Sequence, residues 1–235
     1  MSGLEPLAYS DGDTALNGLL ARPSGTPKAG IVVYPTIMNT TRSVEDKALA
    51  LAEAGYIALI ADFYGKTPES MEQSRDFASE IRGDVHAYRT RLRAAIKALV
   101  SLEETKDLPL AAIGFCMGGG AVLELAREGA PLKAVVSFHG LLMTDLPAEP
   151  GGISARILVC HGDRDPLVPR SQVMAFWEEM DEAKGNWHFH AYSGVKHGFT
   201  NPFGPKDSPA LGYDASADRQ SWAAMHSLFD EVFAG

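Results

Sequence analysis

Cysteine is scarce in this 235-residue chain, which contains only Cys116 and Cys160. Two thiols make no disulfide framework. The opening Met-Ser-Gly-Leu-Glu-Pro has neither the basic region nor the apolar run of an export signal, so a reducing, cytoplasmic setting is expected. Positive charge is also in short supply: Lys plus Arg number 21 against 30 for Asp plus Glu, a formal net charge of −9. That balance argues against a nucleic-acid partner, because neutralising phosphates requires a cationic surface. No apolar run approaches the roughly 20 residues that span a bilayer, so no membrane insertion is expected. No low-complexity tract and no long repeat is present, which removes solenoids and propellers. What remains, with 46% hydrophobic and 22% charged residues, is the composition of an ordinary globular protein.

Short apolar runs alternate with longer helical patterns. Ile31–Tyr34, Tyr56–Ala61, Ala111–Ile113, Ala134–Phe138, Ile157–Cys160 and Trp187–Tyr192 read as strands buried on both faces, as in a parallel sheet. Between them, Val85, Tyr88, Leu92, Ile96 and Leu99 recur at steps of three or four, as do Trp222, Met225, Phe229 and Val232. Each series marks one apolar helix stripe. A helix over 43–54 stops at Gly55. Leu16–Ala21 reads as a strand preceded by an Asp11-Gly12-Asp13 turn, so an antiparallel N-terminal ribbon leads into an alternating β-α sheet. The whole, 1–235, reads as a single α/β domain. The stretches 147–152 and 201–212 read as loops, and the arginines between Arg75 and Arg93 as solvated helix faces.

The densest chemical signal is Gly114-Phe115-Cys116-Met117-Gly118-Gly119-Gly120, which follows a predicted strand and opens a predicted helix. It has the form Gly-x-nucleophile-x-Gly, with cysteine where serine is commoner. The nucleophile sits on a strained strand-to-helix turn, and the glycines leave room for close backbone packing. Placed at a helix N-terminus, the thiol is favoured as thiolate, and the Met117 N–H points at a developing oxyanion. Phosphate-binding alternatives fail on spacing: Gly-x-Gly-x-x-Gly is absent, and the first glycine that Gly65-Lys66-Thr67 would need falls at Ile60. After the strand ending at Cys160 come Asp163 and Asp165, either of which suits an orienting acid. After the strand ending near Tyr192 comes His197. The chain order nucleophile, acid, histidine is that of α/β-hydrolases.

From about Ile31 to the C-terminal helix, the chain resembles the dienelactone hydrolase family. The resemblance is carried by the Gly-x-Cys-x-Gly-Gly elbow and by the Asp and His that follow. It implies an α/β-hydrolase fold, a mostly parallel central sheet flanked by helices on both faces. It also implies that Cys116 is the nucleophile, His197 the base and Asp165 the acid, since the family places its acid just before the Val168-Pro169 end of this loop. The oxyanion hole would then be the backbone N–H groups of Met117 and Ile37. Small esters or lactones are the implied substrates, hydrolysed without a cofactor or metal by a monomer or small homo-oligomer.

Two departures from the family pattern bear on substrate choice. Thr36 stands where a glutamate that keeps the resting thiol neutral is expected. Phe199-Thr200-Asn201-Pro202-Phe203 follow His197 without the arginine that grips a substrate carboxylate; Arg75, Arg82 and Lys206 are the other cations considered for that task. His188 and His190 alternate along one strand, with no third ligand at metal-binding spacing. His86, His139, His161 and His226 read as ordinary hydrogen-bonded or surface residues. Two alternatives to ester hydrolysis stay open. One is a hydrolase-fold enzyme acting on a peptide or carbon–carbon bond; the other is a non-catalytic protein that uses Cys116 as a redox-sensing thiol.

Overall fold

The computed structural model describes residues 3–234. The chain has an α/β fold with a mixed, mostly parallel eight-stranded sheet, and it divides into two compact units, Met1–Ala112 and Ile113–Gly235.

In the first unit, β1 (Glu5–Asp11) and β2 (Thr14–Ala21) pair antiparallel with Asp11 opposite Thr14. So short a connection needs left-handed backbone, which Gly12 supplies at φ 55°. β2 then pairs antiparallel with β4 (Ile57–Ile60), and β3 (Gly30–Tyr34) lies parallel to β4. A parallel pair requires a crossover, here α1 (Arg42–Glu53), which stops just before Gly55. β3 and β4 are buried throughout, as their unbroken apolar runs demand. Side-chain caps start the next two helices, α2 (Met71–Arg82) and α3 (Val85–Val100): Ser70 accepts from the Gln73 N–H, and Asp84 from those of His86 and Ala87. The α3 stripe buries Tyr88, Leu92, Ile96 and Leu99, each burial contributing roughly 1.5–3 kcal/mol.

Two arginines depart from the expected solvated face of α3. Arg89 is buried. Arg91 donates to Asp11 Oδ2 at 2.7 Å, Phe63 O at 2.8 Å and Thr14 Oγ1 at 3.1 Å. The long aliphatic stem lets such a side chain cover apolar surface while its head finds acceptors across the chain.

β5 (Leu110–Phe115) crosses the division and is followed directly by Cys116. In the second unit, α4 (Met117–Arg127), β6 (Ala134–Phe138), β7 (Arg156–Gly162), α5 (Arg170–Glu182), β8 (Asn186–Tyr192) and α6 (Ala215–Phe233) follow in turn. β6, β7 and β8 pair parallel in that order, with Ala134 opposite Arg156 and Ile157 opposite Trp187. β6 is wholly buried, and β7 is buried beyond its first residue. β8 does not match the expectation of a strand buried on both faces. Trp187 and Phe189 pack on Trp177 of α5, while His188 and His190 face outward. Within this unit β8 pairs with β7 alone, and α5 covers a single face. On α6, Met225 and Phe229 are buried and Trp222 and Val232 half-buried. Among the described residues, no helix is long and apolar enough to cross a membrane.

Candidate active site

Cys116 occupies the turn between β5 and α4 with φ 56° and ψ −115°. A non-glycine residue holds such backbone only where its surroundings over-determine it, at about 1–3 kcal/mol. Its N–H is shared between Phe138 O and His139 Nδ1, each at 3.1 Å, and its carbonyl accepts from the Gly119 and Gly120 N–H groups of α4. The thiol is half-buried. A Cβ on Gly114 would lie 1.9 Å from Gly118 O, so helix and strand backbones touch at the place where the motif has glycine. Gly114→Ala should therefore lower the unfolding free energy by about 3 kcal/mol or more, read as a shift in denaturant midpoint. Gly120→Ala, whose added carbon would press on Leu141 O at 3.1 Å rather than overlap it, should shift the midpoint far less than Gly114→Ala.

The loop after β7 is laced to the segment after β8. The Asp163 N–H donates to Tyr192 O at 3.0 Å and the Arg164 N–H to Val195 O at 2.9 Å. Gly162 makes this passage possible, since a Cβ there would lie 2.6 Å from Val195 O and 2.7 Å from Lys196 O. The lacing carries His197 to Asp165: Nδ1 lies 2.6 Å from Oδ2, while Oδ1 accepts from the Leu167 N–H at 2.8 Å. Both side chains are buried. His197 is held on its far side as well, its N–H donating to Ala210 O and its carbonyl accepting from Gly212. Asp163 points elsewhere. It forms a two-pronged pair with Arg170 at 2.8 and 2.7 Å, and that guanidinium holds its carboxyl below the usual range.

Burial opposes a charged His197, but the hydrogen bond to Asp165 and the attraction of the Cys116 sulfur outweigh it and push the imidazole up to about 10. Nε2 is buried and makes no hydrogen bond of ordinary geometry. The Cys116 sulfur nevertheless acts on this ring, through a hydrogen-bonding and a charge interaction that both raise its value. Cys160 is of another kind: burial pushes its thiol up to about 12, leaving it unreactive beside the Tyr192 hydroxyl.

Met117 is the first residue of α4. Ile37 lies in the loop between β3 and α1, where the Met38 N–H donates to Thr36 Oγ1 at 3.2 Å and the Tyr64 hydroxyl to Ile37 O at 3.0 Å. Arg75 and Arg82 are exposed on α2, and Lys206 is exposed in the loop after His197. His161 is buried, which pushes its imidazole below the ordinary value. His139, read from sequence as ordinary, meets both the elbow and the His197 ring. Its only sequence signal is its position directly after a buried strand, at the edge where such sites form.

A family model described as the Dienelactone hydrolase family matches residues 16–233. A solved structure named m3DLH is 40% identical with a TM-score of 0.92, covering 98% of each chain. A dienelactone hydrolase-like promiscuous phosphotriesterase from metagenomic libraries is 35% identical with a TM-score of 0.89, covering 97% of this chain and 98% of its own. A curated relative, a probable 2-oxo-3-(5-oxofuran-2-ylidene)propanoate lactonase of Bradyrhizobium sp, is 29% identical over 217 residues, 85% of this chain and 87% of its own. The fold is that of the α/β-hydrolases.

Proposed function

We propose, because this chain belongs to the dienelactone hydrolase family, that it is a single-domain hydrolase of small esters or lactones acting through Cys116, His197 and Asp165. The observation that supports this most is the 2.6 Å contact between Asp165 and His197, on a ring that also responds to the Cys116 sulfur. In this reading the thiolate attacks the acyl carbon and a carbon–sulfur bond forms. Backbone N–H groups of Met117 and Ile37 stabilise the oxyanion, each such donor contributing about 3–4 kcal/mol. His197 passes its proton to the departing alcohol, and Asp165 holds the ring orientation. Water deprotonated by His197 then cleaves the thioester, returning the thiol and releasing the acid.

Acid-quench mass spectrometry during turnover of a p-nitrophenyl ester tests this. An acyl adduct on Cys116 and many turnovers per site are expected. A thiol consumed once, with no turnover, would instead mark a redox sensor.

The raised His197 value has a signed consequence. Imidazolium persists as pH rises until about 10, so the sulfur keeps its cationic partner throughout the neutral range. Alkylation of Cys116 by iodoacetamide should be rapid at pH 7 and nearly flat from roughly pH 7 to 9. His197→Ala should be slow at pH 7 and rise steeply across that interval. A steep rise in the wild-type protein would contradict the ion pair.

Substrate preference follows from two positions at which this chain departs from the family pattern. Thr36 Oγ1 accepts from the Met38 N–H, and the segment after His197 has no arginine before Phe203. A carboxylate in a partly desolvated pocket without a cation is costly. Neutral small esters should exceed a carboxylated lactone in kcat/KM, measured side by side. The reverse order would show that a cation outside this segment serves the site.

A further inference from the structure

We propose that His139 is a positioning residue that ties the backbone of the Cys116 elbow to the loop carrying His197; the proposal rests on the reading of Cys116 as nucleophile. His139 is 2% exposed and has φ 40°, one of four non-glycine residues with positive φ among those described, Cys116 being another. Two strained residues are therefore bonded directly to each other. Strain of this kind persists only where the surroundings impose it, and those surroundings account for every polar group of the ring. Nδ1 faces the Cys116 N–H at 3.1 Å. A backbone N–H can only donate, so Nδ1 carries the lone pair and the ring proton sits on Nε2. Nε2–H in turn donates to Thr200 Oγ1 at 2.8 Å. Thr200 is 2% exposed and lies three residues beyond His197.

The ring itself forms a wall. It stands edge-to-face with His197 at 5.2 Å between centroids and with Phe199 at 5.2 Å, and it is tilted against Phe115 at 6.2 Å. The His139 N–H donates to Cys160 O at 2.8 Å, which holds the backbone while the side chain makes its contacts. One neutral imidazole thus links nucleophile backbone, base ring and base loop. The Cys116 N–H selects this tautomer, and the Thr200 hydroxyl, which can donate or accept, takes the proton left on Nε2. In the other tautomer an Nδ1–H would oppose the Cys116 N–H.

Three variants separate these contributions. His139→Phe keeps a ring but removes the acceptor. His139→Asn places an amide oxygen near the Nδ1 position and tolerates positive φ. Thr200→Val leaves His139 in place but removes the acceptor for its Nε2–H. Each is measured for the iodoacetamide rate at Cys116, for kcat and KM on a p-nitrophenyl ester, and for Tm. His139→Phe should lower both the alkylation rate and kcat by about 10- to 100-fold with KM nearly unchanged, as misplacement of a reacting group does. Thr200→Val should show a smaller loss of the same kind, and a long-range proton–nitrogen spectrum should show His139 protonated on Nε2 in the wild type and, still held by the Cys116 N–H, in this variant too. His139→Asn should recover most of the loss. If His139→Phe fails to fold, Thr200→Val carries the test.

Wild-type alkylation and kcat in folded His139→Phe or Thr200→Val would overturn the proposal, as would His139→Asn being as impaired as His139→Phe. Alkylation reads the elbow whatever reaction the protein catalyses. Slow alkylation in these variants, combined with full esterase activity in Cys116→Ala, would therefore sink the nucleophile reading and leave the positioning role standing.

Discussion

Replacing Cys116 with alanine should lower kcat by about 10⁴-fold or more while leaving the fold intact. The thiol is half-buried at the mouth of the elbow, so its removal leaves little cavity and Tm should move by only a few degrees. His197→Ala should cost about as much as Cys116→Ala, because neither nucleophile nor base works alone. The double variant should be hardly worse than either single one, since groups that act as a unit are strongly non-additive. Activity above about a tenth of wild type in either single variant would refute the assignment. Independent, multiplying losses would mean that the two side chains serve separate steps.

Asp165→Asn should cut kcat by about 10³- to 10⁴-fold, with the protein still folded. With its oxygen kept on the Leu167 N–H, the amide presents its NH2 group to Nδ1, which must then accept, and this forces the wrong tautomer. The imidazolium also loses the partner that lies at 2.6 Å. Asp163→Asn, two residues away, should stay within about threefold of wild type, because an exposed ion pair contributes little; its carboxylate is turned to the exposed Arg170. Measuring both in one assay, with circular dichroism as a folding control, makes the contrast decisive. A larger loss at Asp163 would reverse the roles of the two acids.

Much of this arrangement is legible along the chain. The elbow declares itself because three requirements coincide within a few residues: a buried strand, glycine where backbones touch, and a helix start. Gly114 is there because a methyl group would sit 1.9 Å from Gly118 O. The N-terminal hairpin is legible for a local reason as well, the Asp11-Gly12-Asp13 turn signal ahead of Leu16–Ala21. The choice between Asp163 and Asp165 is harder, since both occupy one short loop and differ by one turn of backbone. Hydrogen bonds from 163–164 to 192–195 decide which carboxylate meets His197, and their partners lie about thirty residues downstream. β8 misleads because its apolar residues suggest two buried faces, and burial of a face depends on which element covers it.

Period, glycine placement and chain order were enough for the α/β class, for the positions of the strands, and for Cys116 and His197 as the residues to examine. Each of these depends on steric rules that act within a turn or along a strand. Three matters lay beyond that reach: the partner of His197, the inward turn of Arg89 and Arg91, and the bonding of His139 to the Cys116 N–H and to Thr200. They depend on contacts between segments far apart in the chain. A single histidine or arginine looks the same in sequence whether it meets solvent or, as His139 does, the backbone of a residue 23 positions away.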